Sequence, residues 1–389
     1  MNIKALLLKQ YDLYPKMQIQ DIVKLIYQNE FAGGHLIENE DDILRKLQEE
    51  LCSLKHSCMD KRIPCDAFED IGNNLCRLHL AALKYYDISL NTVNKLFIST
   101  ADSIKGSIQS FEEKLDVLRQ CCKEGLLPYS LEELEAYLCS YKKKGYPPVS
   151  HSEIFRAAYS PAYRIVRSEY HDFFEVFCRI DSLMKSKDRV TVAIDGNSGA
   201  GKSTLASLIG NVYECNIFHM DDFFLTPELK TEERLREVGG NVDYVRFKHE
   251  VIDGINSGRE FQYHKYDCKQ RILVGPIPVS PQKLNIIEGS YSMHPTLIEN
   301  YDLKIFLSID EKKQISRILK RNGAAMLKRF LCEWIPMENR YFKELNIKGL
   351  SDLVFSSVVV PDSVSALRNV INNNLKRMED SYENSNSSR

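Results

Sequence analysis

The stretch Gly196-Asn197-Ser198-Gly199-Ala200-Gly201-Lys202-Ser203 constrains this 389-residue chain more than any other. It satisfies G-x-x-x-x-G-K-[ST] at every position. An apolar, β-branched run, Val190–Ile194, precedes it, and a helical pattern, Lys202–Ile209, follows. Glycines let backbone amides close around a polyphosphate, and a helix N-terminus adds positive potential. Lys202 then reaches the β/γ-phosphates, and Ser203 offers its hydroxyl to Mg²⁺. With Thr204, residues 196–204 are the expected ATP-binding segment. Strand, loop and helix together predict nucleotide bound to a parallel α/β sheet.

Further short apolar runs fit that sheet: Asn216–Met220, Leu284–Ile287, Leu303–Ile309 and Leu353–Val358, separated by helical stretches. Before Arg189 the pattern is helical instead. Apolar residues recur at three- and four-residue spacing over Asp21–Gln28, Asp42–Leu51, Leu75–Tyr86, Leu90–Ile98, Ser110–Cys122, Leu131–Tyr141 and Tyr170–Met184. Ser130 with Glu133 reads as a capping box. Gly145-Tyr146-Pro147-Pro148 breaks the pattern, and Ser150 with Glu153 reads as the next cap. Phe31-Ala32-Gly33-Gly34-His35, followed by acids at Glu38 and Glu40–Asp42, reads as a glycine-hinged loop entering a helix. The expected organisation is an all-helical domain over 1–187, a P-loop NTPase-type α/β domain over 188–378, and a Ser/Asn-rich disordered tail over 379–389.

Composition narrows the functional classes. At 43% hydrophobic and 27% charged, the chain has the balance of a soluble globular protein, and its net charge of −2 argues against a nucleic-acid coat. No eighteen apolar residues run together, so no membrane span is expected. Ala5–Leu8 is too short for a signal peptide. The eleven cysteines lack metal-binding spacing. They read as reduced thiols, so a cytoplasmic location and no structural zinc are expected. A homo-oligomer is compatible with this composition.

Two expected strands carry acids at their carboxyl ends, where an open parallel sheet presents its ligand crevice. The first runs into Asp221-Asp222-Phe223-Phe224, and the second into Glu288-Gly289. Asp221 is placed to take a proton from an attacking hydroxyl, and Glu288 to hold Mg²⁺ or its water. Arg317, Lys320 and Arg321 share one face of a helix that Asn322-Gly323 interrupts. Such a helix can close as a lid, with guanidinium groups neutralising a transferring phosphoryl group. A solvated face explains the same residues. Tyr263-His264-Lys265-Tyr266-Asp267 can grip a small polar acceptor or form an exposed hairpin. No Asn-Lys-x-Asp base reader follows the loop, which argues against a GTPase.

On these motifs, residues 189–375 resemble the uridine kinase/phosphoribulokinase group of P-loop kinases, which includes nicotinamide riboside kinase. The resemblance rests on Asp195–Thr204, Asp221-Asp222-Phe223-Phe224, Tyr266-Asp267, Ile287-Glu288-Gly289 and Arg317–Arg321. It implies that Asp221 is the catalytic base in preference to Asp222, and that Glu288 works with Mg²⁺. It also implies that Arg317 and Arg321 contact phosphates, and that Tyr266 helps hold the acceptor beside Asp222 and His264. A nucleoside is the implied acceptor. A sugar phosphate, a vitamin-precursor riboside, or an ATP-gated binding protein are the alternatives. The sequence departs from the group at Gly239–Tyr244 and at the lid lysine, and both departures bear on the acceptor. Trp334 can stack on a base or anchor the lid helix.

Overall fold

The computed structural model describes residues 2–33, 40–57 and 66–356, which form two compact units, one running to Phe174 and the other beginning at Glu175. The expected tail, and His35 and Glu38 of the glycine-hinged loop, lie outside the described residues.

Helices Ile3–Leu13, Ile19–Phe31, Glu40–Ser57, Leu90–Ser103, Ile108–Lys123, Leu131–Lys143 and Glu153–Tyr159 make up most of the N-terminal unit. Leu6, Leu7, Ile22, Val23, Ile26, Phe111, Leu115 and Leu118 share its core. Ser89, Ser107 and Ser130 each start a helix by accepting the amide three residues on. The cap expected at Ser150 falls on Ser152 instead, which accepts the Phe155 amide. Asp21 explains the shift: it accepts the Ser152 amide at 2.9 Å and the Ser152 hydroxyl at 2.6 Å.

A small antiparallel sheet accompanies these helices: β1 (Phe68–Asp70), β2 (Leu75–His79) and β3 (Tyr163–Arg167), with β2 in the middle. The helix expected over Leu75–Tyr86 is therefore a strand followed by a 3₁₀ turn, Leu80–Tyr85. The first four residues of β2 are all buried, so its pattern lacks the alternation that marks a half-exposed strand. Arg77 in this strand is almost fully buried. Its guanidinium donates to Glu69 at 2.8 Å, to Gln10 at 3.0 Å and to Gln28 at 2.8 Å, and it lies 4.8 Å from the Tyr163 ring centroid. Glu69 also meets Tyr14 at 2.7 Å and His79 at 3.0 Å. The network ties the sheet to the first two helices.

In the C-terminal unit, β4 (Val190–Gly196), β5 (Cys215–His219), β8 (Leu284–Glu288), β9 (Leu303–Ser308) and β10 (Leu353–Ser356) form one parallel sheet in the order β10-β9-β4-β8-β5. A hairpin, β6 (Phe261–Asp267) with β7 (Ile272–Val279), stands apart from it. Every residue of β4 and β8 is buried, as central parallel strands require. The register aligns Ile194, Glu288 and His219 across three neighbouring strands, so their carboxyl ends open on one edge.

Candidate active site

The loop at the end of β4 is shaped by close approach. Gly196 has φ 138°, and a Cβ there would lie 2.0 Å from the Leu307 carbonyl oxygen. Asp195, fully buried before it, accepts the Gly196 amide at 2.7 Å, the Met293 amide at 3.0 Å and the Tyr341 hydroxyl at 2.9 Å. Burial pushes its carboxyl up to about 6 against those hydrogen bonds and the nearby Lys202 charge. The helix Lys202–Gly210 starts at once after Gly201, and the amides of its first turn have no partner within the helix. Lys202 Nζ meets the carbonyls of Gly196 at 2.8 Å and Asn197 at 3.1 Å, and the Ser290 hydroxyl at 3.2 Å.

Other loop amides are engaged by the protein. Asn197 donates to Leu307, Ser198 to Glu338, and Ala200 back to Asn197. Ser203 and Thr204 are exposed in the first turn of the helix.

Glu288 closes β8 and is buried beside the loop. The Ser203 hydroxyl donates to it at 3.0 Å, and His219 Nδ1 lies 2.5 Å from the same oxygen. That hydrogen bond raises the His219 pKa against the effect of burial. Gly289 follows with φ 136°, and a Cβ there would lie 2.8 Å from that of Met220. The glycine thus lets the β8 turn pass directly over the β5 turn that carries Asp221.

β5 ends at His219, and Met220–Phe223 forms a 3₁₀ turn. Asp221 on this turn keeps surface exposed to solvent, yet the surrounding protein still desolvates its carboxyl. Burial raises its pKa, Lys202 opposes the shift, and Glu288, Glu338 and Asp222 reinforce it. Asp222 points to the hairpin instead, where Lys265 Nζ is 3.1 Å from its carboxylate. The half-buried Arg246 reaches both, donating to the Asp222 carbonyl at 3.3 Å and the His264 carbonyl at 2.6 Å, with its guanidinium 4.2 Å from the Phe223 ring centroid. Tyr266 is buried on the hairpin, His264 pairs with Glu250 at 3.4 Å, and Asp267 holds the hairpin turn by accepting the Lys269 and Gln270 amides.

The basic helix runs over Glu311–Arg329 with a break at Gly323, φ 77° and ψ 172°. Arg317 donates to the Gly199 carbonyl at 2.9 Å, whereas Arg321 turns to Asn322 at 2.8 Å. Trp334 packs edge-on against Phe330, centroids 4.5 Å apart, with the Arg329 guanidinium 4.9 Å from the Trp334 ring centroid, so it anchors its own segment. His219, Ser290, Arg246, Gln314 and Glu338 also surround the loop and its neighbouring acids, and the sequence reading names none of them. Position at or just after an apolar strand run marks His219 and Ser290, whereas Arg246, Gln314 and Glu338 come from helices and carry no such signal.

No protein-family profile matches this chain. A protein described as a possible uridine kinase from Bacillus stearothermophilus is 21% identical over 46% of this chain and 99% of its own, with a TM-score of 0.35. A candidate fructose transport system kinase from Silicibacter sp. TM1040 is 22% identical over 43% of this chain and 90% of its own, with the same TM-score of 0.35. The five-stranded parallel sheet carries its glycine loop between the central strand and the helix that follows, the strand–loop–helix arrangement of a P-loop. Among the described residues, no helix is long and apolar enough to cross a membrane.

Proposed function

We propose that residues 188–378 transfer the γ-phosphoryl group of ATP to a hydroxyl of a small molecule, with a nucleoside as the first acceptor class to test. One observation carries this reading: Asp221, Glu288 and Lys202 converge at the carboxyl edge of the sheet beside the phosphate loop. The acceptor O–H gives its proton to the Asp221 carboxylate while its oxygen bonds to the γ-phosphorus. The bond to the β-phosphate oxygen breaks, and ADP leaves. Lys202 neutralises charge on the transferring group, Arg317 adds to it from the lid, and most of the acceleration comes from positioning. Arg321 joins when the lid closes.

Ser203 and Glu288 present hard oxygen donors 3.0 Å apart, a set suited to Mg²⁺. They would hold the ion, which supplies charge neutralisation at the phosphates when bound. The acceptor lies against the 3₁₀ turn and hairpin, near Asp222, His264 and Tyr266, with sugar phosphates and vitamin-precursor ribosides as the competing acceptors. Residues 1–187 serve as a regulatory or substrate-capping module.

The test is Mg·ATP-dependent ADP formation by the full chain with nucleosides, ribosides and sugar phosphates offered singly. Stimulation by one class identifies the acceptor. ATP binding with no stimulation by any of them would count against phosphoryl transfer. In the same assay Arg317→Ala is expected to lower kcat. Because Arg317 is exposed, the loss should fall near the low end of the ~10²–10³ found for a single charge-stabilising donor.

A further inference from the structure

The helix Ile335–Glu344, which follows the lid, sends Glu338 into the phosphate loop. This carboxylate is only 4% exposed. Its Oε2 accepts the Ser198 amide at 3.0 Å, and its Oε1 accepts the hydroxyls of Ser198 at 2.5 Å and Ser290 at 2.8 Å. Three donors from the loop and from the turn after β8 therefore hold a buried acid, and each would lose its partner if that acid were cut back. Ser290 passes the contact on, since its hydroxyl also lies 3.2 Å from Lys202 Nζ and 3.2 Å from the Gly196 carbonyl. One turn further along the helix, Tyr341 reaches Asp195 at the start of the same loop.

Ser198 is also gripped from the other side of the lid. Gln314, near the start of the basic helix, donates to the Ser198 carbonyl at 2.9 Å. Both roots of the segment that contains Arg317 and Arg321 thus hang on one loop residue, Gln314 on its carbonyl and Glu338 on its amide and hydroxyl.

We propose that Glu338 is a positioning residue for phosphoryl transfer: it clamps the phosphate loop at Ser198 and Ser290 and, with Gln314, makes loop and lid move as one body. The inference rests on the phosphoryl-transfer reading. Glu338 touches neither nucleotide nor acceptor in this role. It sets where Lys202 and the lid arginines stand when the γ-phosphoryl moves, and small misplacements there are costly.

The test compares the full-length protein with Glu338→Gln and Glu338→Ala, after circular dichroism and thermal melting have established that both fold. Glutamine keeps the shape but turns an N–H₂ toward the Ser198 amide or a hydroxyl, so it tests charge and donor pattern apart from volume. Equilibrium binding of Mg·ATP is expected to change less than about threefold, while kcat falls about 10- to 100-fold. In a Ser198→Ala, Ser290→Ala background, Glu338→Ala should cost less, because both hydroxyl partners are already gone and only the backbone amide of residue 198 is left to lose. ATP should protect residues 311–344 from trypsin in the parent and much less in Glu338→Gln, a readout that needs no acceptor. Equal protection with unchanged kcat in a folded variant overturns the clamp. So does tighter ATP binding with faster turnover, which would mark Glu338 as a competitor of phosphate. If the parent itself binds no ATP, the phosphate-loop reading fails and takes the clamp with it. If the parent binds ATP without any acceptor turnover, the protection experiment still decides the clamp.

Discussion

Asp221→Asn is expected to lower acceptor phosphorylation by about 10²–10⁴ in kcat, the range for removing a positioned general base. Mg·ATP affinity should stay within a few-fold. The two effects separate because Lys202 and Ser203 sit on the loop and its helix, whereas Asp221 sits on a different turn, at the end of β5. Asparagine preserves volume and polarity, so the 3₁₀ turn and its glycine neighbour have no reason to move. The pH profile supplies a second reading of the same residue. Burial first, then the neighbouring carboxylates, raise the Asp221 pKa, and a base works only when deprotonated. Activity should therefore fall on the acid side at a pH above the ordinary aspartate value of about 3.9. That acid limb should vanish from whatever activity Asp221→Asn retains. A variant that turns over at the parental rate with the limb intact would mean that another group takes the proton, and Asp222, paired to Lys265, would be next to test.

What the sequence disclosed about this site follows from how local each feature is. Val190–Ile194, the glycine loop and the helix after it are contiguous, so motif and context can be read together. Asp221 and Glu288 are legible as strand-end acids because each ends or directly follows a short apolar run, and the parallel register brings those strand ends to one edge. Glu338 lies 140 residues from the serine it holds, in a segment whose letters suggest only an amphipathic helix. No periodicity encodes that contact. Likewise, Leu75–Tyr86 reads as a helix because leucines at 75 and 78 in β2 and at 80 and 83 in the 3₁₀ turn mimic a helical stripe, while the strand partners of β2, at 68–70 and 163–167, lie outside that stretch. Arg77 gives no warning at helical spacing, which would set it on the face away from those leucines; only the strand buries it, and there Glu69 pairs with it across a hairpin.

The same pair gives the largest stability effect expected outside the C-terminal unit. Glu69→Ala should destabilise the β1–β3 sheet by about 3–5 kcal/mol, the usual cost of leaving one member of a buried ion pair behind. Arg77 would keep its place in the centre of the sheet with its charge uncompensated, and Tyr14, His79 and Gln10 would each lose a bond. Replacing both members, Glu69→Leu with Arg77→Met, should cost much less, because no charge then stays buried. Amide hydrogen exchange over 68–79 and 163–167 measures the difference locally, so unfolding of the other unit does not confuse it. Acid should act in the same direction. Burial alone would push the Glu69 carboxyl up, but the Arg77 charge and the His79 and Tyr14 hydrogen bonds outweigh it and hold the group well below the usual carboxylate range. A depressed folded-state pKa contributes stability that is fully present above the unfolded glutamate value of about 4.3, and that is lost as pH falls below it. Protection of these strands in the parent should therefore decline below about pH 4, while the doubly replaced variant, having no such carboxylate, should show a flatter profile. Equal acid sensitivity in both would place the responsible group elsewhere, with Asp21, which accepts from His151 and Ser152, as the nearest candidate.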